Sequence, residues 1–215
     1  MIDAQLRARG VMNEPVLAAM ARLPRELFVG EAWRSHAYED AALPIDAGQS
    51  ISQPYMVGRM TELLDPAPGK RILEIGTGSG YQAAVLAMIG CRVTSVERHA
   101  GLARAATARL DVLGLGGLVS IEVGDGSLGW PGRSPFDGIV VTAAAPRIPP
   151  ALPLQLVVGG RLVAPVGRRE LQELTLVVRE VAGFRRLDCG PCVFVPLVGA
   201  DGFGEGPWAG PDRLA

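Results

Sequence analysis

The chain has 215 residues, 21 basic and 22 acidic, a formal net charge of −1 and 48% hydrophobic residues. That length suits one domain with a full core, and that composition suits a folded globular protein. The charge is close to zero, Lys70 is the single lysine and the arginines are scattered, so there is no electrostatic case for nucleic acid or an anionic membrane as partner.

The opening "MIDAQLRARG" carries charges with no apolar stretch behind them and does not read as a signal peptide. No apolar run approaches the roughly 20 residues of a spanning helix. Cys91, Cys189 and Cys192 do not form a secreted disulfide framework, and a cytoplasmic protein is expected. The first fifty residues read as short helices. In "NEPVLAAM", Asn13 is a cap and Pro15 sits in the first turn, where its missing N–H costs little. Pro24 starts a further short segment, "PRELFV". The stretch "ALPIDAGQSISQPYM" has no clean period and reads as a loop. Pro54 opens the next helix, with Met56, Met60, Leu63 and Leu64 expected on one face, and "DPAPGK" stops it.

From Lys70 the pattern alternates strand and helix. "RILEI", "RVTSVE", "VSIEVG" and "FDGIVVT" are strands. "YQAAVLAMIG" is a helix apolar nearly all round, and 100–113 an amphipathic one with Leu102, Ala106, Leu110 and Leu113 inward. Such alternation implies an α/β fold, a mainly parallel sheet with helices on both faces. "PPALPLQLVVGG" reads as a short helix with a glycine stop. "RLVAPVG", "QELTLVVREV" and a last "VFVPLV" read as strands, and the Gly/Pro-rich tail from Asp201 as poorly ordered.

The turn after the first strand of this region is "GTGSG". A dinucleotide turn wants G-x-G-x-x-G, but the glycines are Gly76, Gly78 and Gly80, and Tyr81 stands at the third position. A P-loop would need Lys followed by Ser or Thr after its last glycine, and neither is there. A close backbone approach with no phosphate to neutralise remains, and the adenosyl part of S-adenosyl-L-methionine is such a ligand. Glu97 ends the second strand, 21 residues after Gly76, where a carboxylate accepts ribose hydroxyls. It does not by itself separate this ligand from NAD. Asp125, in "GDGS", falls where an adenine amino group would lie. Glu74, inside the first strand, would be costly unpaired; it is expected to meet loop N–H groups or the methionine moiety.

The segments "LPIDAGQSISQPYMVGRMTELL", "ILEIGTGSGYQAAVLA", "SVER", "DGSLGWP", "PFDGIVVTAAAPRIP", "GGRLVAPVG" and "FVPLVG" together resemble the protein-L-isoaspartate O-methyltransferase family, from about Leu6 to Gly199. The glycine turn is common to many methyltransferases; the "SISQPYM" and "VTAAAP" segments are far more specific. The resemblance implies a Rossmann-like methyltransferase fold with an N-terminal helical extension. One domain then covers 1–200, with helices and substrate loop over 1–64, core and C-terminal strands over 65–200, and a tail over 201–215. It also implies methylation of the free α-carboxylate of L-isoaspartyl residues, after which the ester cyclises to a succinimide and hydrolysis returns part of the chain to aspartate. The implied cofactor is S-adenosyl-L-methionine, on Glu74, Gly76, Thr77, Gly78, Gly80, Glu97, Asp125, Gly126 and Thr142. Ser52 is the implied active-site serine, and Ser50, Ile51, Ser52, Gln53, Ala143 and Ala144 the implied substrate contacts, with no metal. Isoaspartyl proteins and peptides are the implied partners, and a monomer is the simplest expectation. Asp46 stands where the family commonly has Gly, Ser50 where Thr is common, and "CGPC" differs from the usual sequence before the final strand. Asp46 bears on substrate affinity more than on the reaction.

A carboxylate at pH 7 is already a nucleophile and needs no general base. That agrees with a chain whose histidines, His36 and His99, sit in no base-plus-nucleophile pattern. Catalysis then comes from alignment in a dry site, with Ser52 orienting the carboxylate. The "CGPC" match to a redox motif lacks the helix that would lower a thiol pKa, Cys91 reads as core, His36 as surface or packing, Trp33 as core, and Trp130 as close to the site. Two other readings stay open at this point: a related enzyme modifying a specialised peptide, and a binder of cofactor or isoaspartate without turnover.

Overall fold

The first long helix, α1 (Glu14–Arg22), begins as its capping chemistry dictates: the Asn13 side chain accepts from the Val16 N–H at 3.2 Å, and Pro15 occupies the first turn. The computed structural model describes residues 1–206. After α1 come two short 3-10 turns, Arg25–Phe28 and Glu31–His36. The "ALPIDAGQSISQP" stretch is more ordered than a loop: β1 (Leu43–Pro44) pairs antiparallel with β2 (Ser50–Ile51). Helix α2 (Pro54–Leu64) follows with its proline in the first turn. Its buried face is Val57, Gly58, Met60, Thr61 and Leu64, while Met56 and Leu63 are half-buried. A threonine belongs on that face because its hydroxyl donates to the Val57 carbonyl at 2.6 Å and accepts from Gln82 at 2.8 Å.

The core is a seven-stranded sheet of β3 (Arg71–Ile75), β4 (Arg92–Glu97), β5 (Val119–Val123), β6 (Phe136–Val141), β7 (Leu156–Gly167), β8 (Gln172–Glu180) and β9 (Gly183–Cys192). The spatial order is β5-β4-β3-β6-β7-β8-β9. The first five of these are parallel, and β8 runs antiparallel to both its neighbours. Helices α3 (Tyr81–Ile89), α4 (Ala100–Val112) and the one-turn α5 (Ala151–Leu154) connect strands. Alternate side chains along each strand feed two separate cores: Ile72, Val140 and Val163 join α1, α2 and α3 in one, and Leu73, Ile139 and Leu162 join Leu152 of α5 in the other. Chain order reverses between β3 and β6, which opens a crevice at their carboxyl ends.

Four expectations are corrected here. "LVVGG" is not the end of a helix but the start of β7, because α5 stops after one turn at Leu154. The last strand is "GFRRLDCGPC", not "VFVPLV"; it is an exposed edge strand rich in charge, so it carries no apolar signal. "VFVPLV" instead crosses the sheet end and makes an isolated bridge from Pro196 to Ala144. Trp33 is 40% exposed and packs edge-on against the His36 ring, since its turn lies on the surface.

The fourth concerns the tail, whose residues 201–206 pack on the fold, the remainder of that expectation lying outside the described residues. Asp125 organises this packing: its carboxylate accepts from the Ser127 N–H (2.9 Å) and hydroxyl (2.7 Å) and from the Ala200 N–H (2.7 Å). The Ser127 hydroxyl lies 3.0 Å from the Asp201 N–H, and Arg169 covers the Phe203 ring. Partial burial pushes the Asp125 carboxyl up, but these donors outweigh it and hold its pKa below the ordinary value. The stabilisation is therefore full above the usual aspartate pKa and is lost as pH falls through the lower folded value. Asp125→Asn turns an all-acceptor carboxylate into a group with an N–H₂ facing donors. It should cost about 1–2 kcal/mol and speed amide hydrogen exchange selectively at Ala200 and Asp201; wild-type exchange there would contradict this anchoring.

Candidate active site

The crevice at the carboxyl ends of β3, β4 and β6 widens into a cavity of about 400 Å³, within the size range of small-ligand sites. One wall is the glycine turn. Gly76, Gly78 and Gly80 all have positive φ (95°, 52° and 87°), which residues with a Cβ rarely adopt. A Cβ on Gly76 would lie 2.5 Å from the Thr142 hydroxyl oxygen, so the backbone surface there is bare by necessity. Thr142 ties the end of β6 to this turn: its N–H donates to the Ile75 carbonyl at 2.9 Å, and its hydroxyl lies 2.6 Å from the Gly76 carbonyl oxygen. Glu97 holds it from the end of β4, accepting from the Gly78 N–H and the His99 N–H, each at 2.9 Å. Each of its oxygens keeps a second acceptor direction for a ligand.

A second part of the wall is the β2 loop. Ser50, Ile51 and Ser52 line the same cavity as Gly76, Thr77, Gly78, Glu97, Gly126, Thr142 and Ala143. The fold thus brings together ten of the fifteen residues that the sequence singles out. The other five stand outside that wall, each for a definite reason. Glu74 is fully buried behind the turn and accepts from the Ser95 hydroxyl, which in turn lies 2.6 Å from the Thr77 hydroxyl. Gly80 packs on Ala106 at the start of α3. The Gln53 side chain donates away from the cavity, to the Asp40 carbonyl at 2.9 Å. Ala144 is held by Val195 and Leu197 through backbone bonds of 2.7 Å each. Asp125 lines a shallower neighbouring depression, its carboxylate taken up by the terminal segment. Trp130, expected close to the site, is not itself in the wall, but its ring lies against Gly124, which is.

Several wall residues were not anticipated. Tyr81, Gln82, Arg98, His99, Val198 and Glu205 all line the cavity. His99 follows Glu97 by two residues and caps α4, which spacing alone would have allowed. Arg25 lies directly behind the wall and donates to the Ser52 carbonyl at 2.7 Å. An arginine in "LPRELFV" looks like any solvated charge, so no sequence signal marked it. Of the cysteines, Cys91 is core as expected, and Cys192 is a buried strand residue whose thiol burial pushes up to about 12, far from the reactive range.

A switch-point crevice with a bare glycine turn, an acid at the end of the next strand and a hydroxyl-bearing loop across one cavity defines a Rossmann-like methyltransferase. Similarity to known proteins agrees. The family model for "Protein-L-isoaspartate(D-aspartate) O-methyltransferase (PCMT)" matches residues 1–202. Protein-L-isoaspartate O-methyltransferase 2 of Pelobacter propionicus is 54% identical over 206 residues, covering 94% of this chain and 91% of its own. The protein-L-isoaspartate O-methyltransferase of Syntrophus aciditrophicus is 50% identical and covers 94% of each chain. Among solved structures, a protein-L-isoaspartate O-methyltransferase superposes with a TM-score of 0.81 at 29% identity, over 94% of this chain and 67% of that one. A putative one from Plasmodium falciparum, in complex with S-adenosyl-L-homocysteine, superposes with a TM-score of 0.77 at 23% identity, over 92% and 96% of the two chains. The last supports the fold alone. The chain belongs to the protein-L-isoaspartate(D-aspartate) O-methyltransferase family.

Burial raises the Glu74 carboxyl to about 8, against the opposing Ser95 hydrogen bond and with the nearby Glu97 charge adding to the rise. The folded state then holds a proton that the unfolded chain releases near pH 4.5. Wild-type stability should therefore fall as pH rises from about 4.5 to about 8 and level off above. Glu74→Gln removes this fall. Urea unfolding at pH 5 and pH 8 should show the variant gaining on wild type at the higher pH; parallel pH dependences would refute a neutral Glu74.

Proposed function

We propose that this protein transfers a methyl group from S-adenosyl-L-methionine to the free α-carboxylate of L-isoaspartyl residues in damaged proteins and peptides, starting their return to L-aspartyl through a succinimide. The observation that carries this is the shared cavity: Ser50, Ile51 and Ser52 line the same space as the glycine turn and Glu97. Family membership names the reaction.

The residues present fit S-adenosyl-L-methionine. The turn offers bare main chain where a Cβ on Gly76 would collide with Thr142. The cationic side chain in the wall, Arg98, is paired with Glu205 at 3.0 Å, so the cavity suits a nucleoside better than a phosphate. Gly76, Thr77, Gly78, Gly126 and Thr142 would hold it, with Glu97 accepting from ribose hydroxyls. When bound, this group supplies an electrophilic methyl carbon on a sulfonium. Glu74, Gly80 and Asp125 serve it indirectly, by bracing the turn and the terminal segment.

On the substrate side, an ionised carboxylate needs orientation, not proton removal. The Ser52 hydroxyl donates to one carboxylate oxygen and leaves the other free to attack. Ile51 is buried beneath and fixes the loop. Ser50 and Ala143 flank the substrate backbone, while Gln53 and Ala144 hold the loop and the β6 end in place. Small side chains at 143–145 let a peptide of any sequence come close, which suits an enzyme that meets damage in many contexts. Closing the cavity against water strengthens the attraction between carboxylate and sulfonium and favours their mutual neutralisation on transfer. We read 1–64 as supplying the substrate wall and 65–200 the cofactor wall of one domain, working as a monomer in the cytoplasm. No helix among the described residues is long and apolar enough to cross a membrane.

Methyl transfer from labelled S-adenosyl-L-methionine to a synthetic isoaspartyl peptide, with the matching aspartyl peptide as control, tests the reading. Label should enter only the isoaspartyl peptide; equal labelling or none refutes it. Ser52→Ala removes one hydrogen bond to a charged group and should lower kcat about 10- to 100-fold, with S-adenosylhomocysteine affinity by calorimetry within about twofold of wild type. Loss of that affinity with turnover intact would remove Ser52 from its role.

A further inference from the structure

Arg25 is a fully buried cation, 0% exposed, in the 3-10 turn before the Glu31–His36 segment. Its Nε donates to the Ala37 carbonyl at 2.7 Å and one terminal nitrogen to the Ser52 carbonyl at 2.7 Å. The guanidinium lies 4.8 Å from the centroid of the Tyr81 ring. Its other terminal nitrogen is buried without a hydrogen-bond partner, as is the Tyr81 hydroxyl. Among the described residues no carboxylate faces it: the groups that favour its charged form are Tyr81 and Tyr38, and burial outweighs them, lowering its proton affinity. Burying a cation with no anion is costly, and folds avoid it unless something compensates. Two carbonyls and a ring face are partial compensation.

The position explains what completes it. Ser52 and Tyr81, the two residues that Arg25 touches on its inner side, both line the cavity. The charge therefore sits one residue layer behind the wall that receives the substrate. A ligand carrying a carboxylate at Ser52 would bring an anion into a dry space close to a cation that has no carboxylate partner, where the attraction is stronger than in water.

We propose that Arg25 is a positioning residue for the transfer: it fixes the Ser52 peptide by its carbonyl, and its unpaired charge selects substrates that bring a carboxylate to the Ser52 hydroxyl. This rests on the carboxyl-methylation reading above. Lysine could supply the charge but cannot span the Ala37 and Ser52 carbonyls with a planar fork. A neutral side chain of similar length would fill the space and remove the charge.

The experiment compares wild type, Arg25→Met, Arg25→Gln and Arg25→Lys as full chains. Steady-state kinetics uses one isoaspartyl peptide. Competition then compares that peptide with its α-carboxamide counterpart, equal in shape but neutral. Arg25→Met should raise KM about tenfold and shrink the preference for carboxylate over carboxamide by a similar factor. Binding of S-adenosylhomocysteine should stay within about twofold of wild type. Arg25→Lys should keep the preference and lose kcat about tenfold, because the Ser52 peptide is no longer clamped. A folded Met variant with wild-type preference would make Arg25 purely structural and overturn the proposal. Arg25→Gln carries the same test if the Met variant does not fold; if neither neutral variant folds, wild-type kcat in Arg25→Lys overturns it. Failure of wild type to label the isoaspartyl peptide would instead remove the underlying reaction.

Discussion

The rest of the site depends on how a glycine turn, Gly76 to Gly80, is held still. Three glycines with positive φ are cheap to bend and equally cheap to unbend. The fold restrains them from three sides. Thr142 reaches from β6, Glu97 from β4, and the Thr77–Ser95–Glu74 hydroxyl chain braces the turn from behind. Those three supports come from adjacent parallel strands, so the sheet register sets the shape of the turn. A protonated Glu74 fits this arrangement. A neutral carboxyl braces through hydrogen bonds without placing a second negative charge behind Glu97.

The N-terminal extension has a comparable task on the other wall. The β1–β2 hairpin is too short to be stable alone. Helix α1, the 3-10 turns and α2 enclose it, and side chains fasten it at several points: Gln53 to the Asp40 carbonyl, Arg9 to the Asp40 carboxylate at 2.8 Å, and Arg25 to Ser52. The role proposed for Ser52 gives a reason for some sixty residues of short elements around a hairpin of four paired residues: they hold its loop in place. Misplacement by an ångström is expensive in a reaction driven by alignment.

Much of this was legible in the sequence because it rests on local chemistry. The Asn13 cap, Pro54, the burst-and-glycine pattern of "RILEIGTGSG" and the acid ending β4 all report on their own few residues. What escaped was decided by long-range contact. The strand-end position of Asp125 is local, but the bond its carboxylate accepts from the Ala200 N–H, 75 residues away, has no local signal. The tail reads as disordered by composition, yet part of it supplies Glu205 and Gly206 to the cavity wall. The edge strand β9 was missed because exposed strands carry charge instead of apolar alternation. Arg25 could not be separated from the solvated arginines, since nothing local distinguishes a cation that the fold will bury.

The charge pattern explains why such a protein manages without a general base. The described cavity has one acid without an ion-pair partner in its wall, Glu97, and that acid is committed to the turn by the Gly78 and His99 N–H groups. Arg98 and Glu205 cancel one another. Arg25, a buried cation with no carboxylate partner among the described residues, lies behind Ser52. On the proposed reading a positive donor and a negative acceptor meet in this space, with Glu97 serving the nucleoside and the Arg25 guanidinium lying behind the residue that orients the carboxylate. Both reacting charges vanish as the methyl group moves, so a fixed field that grips them tightly before transfer would also oppose it. A cation set one layer back, screened by Tyr81 and two carbonyls, attracts and aligns the carboxylate without gripping it.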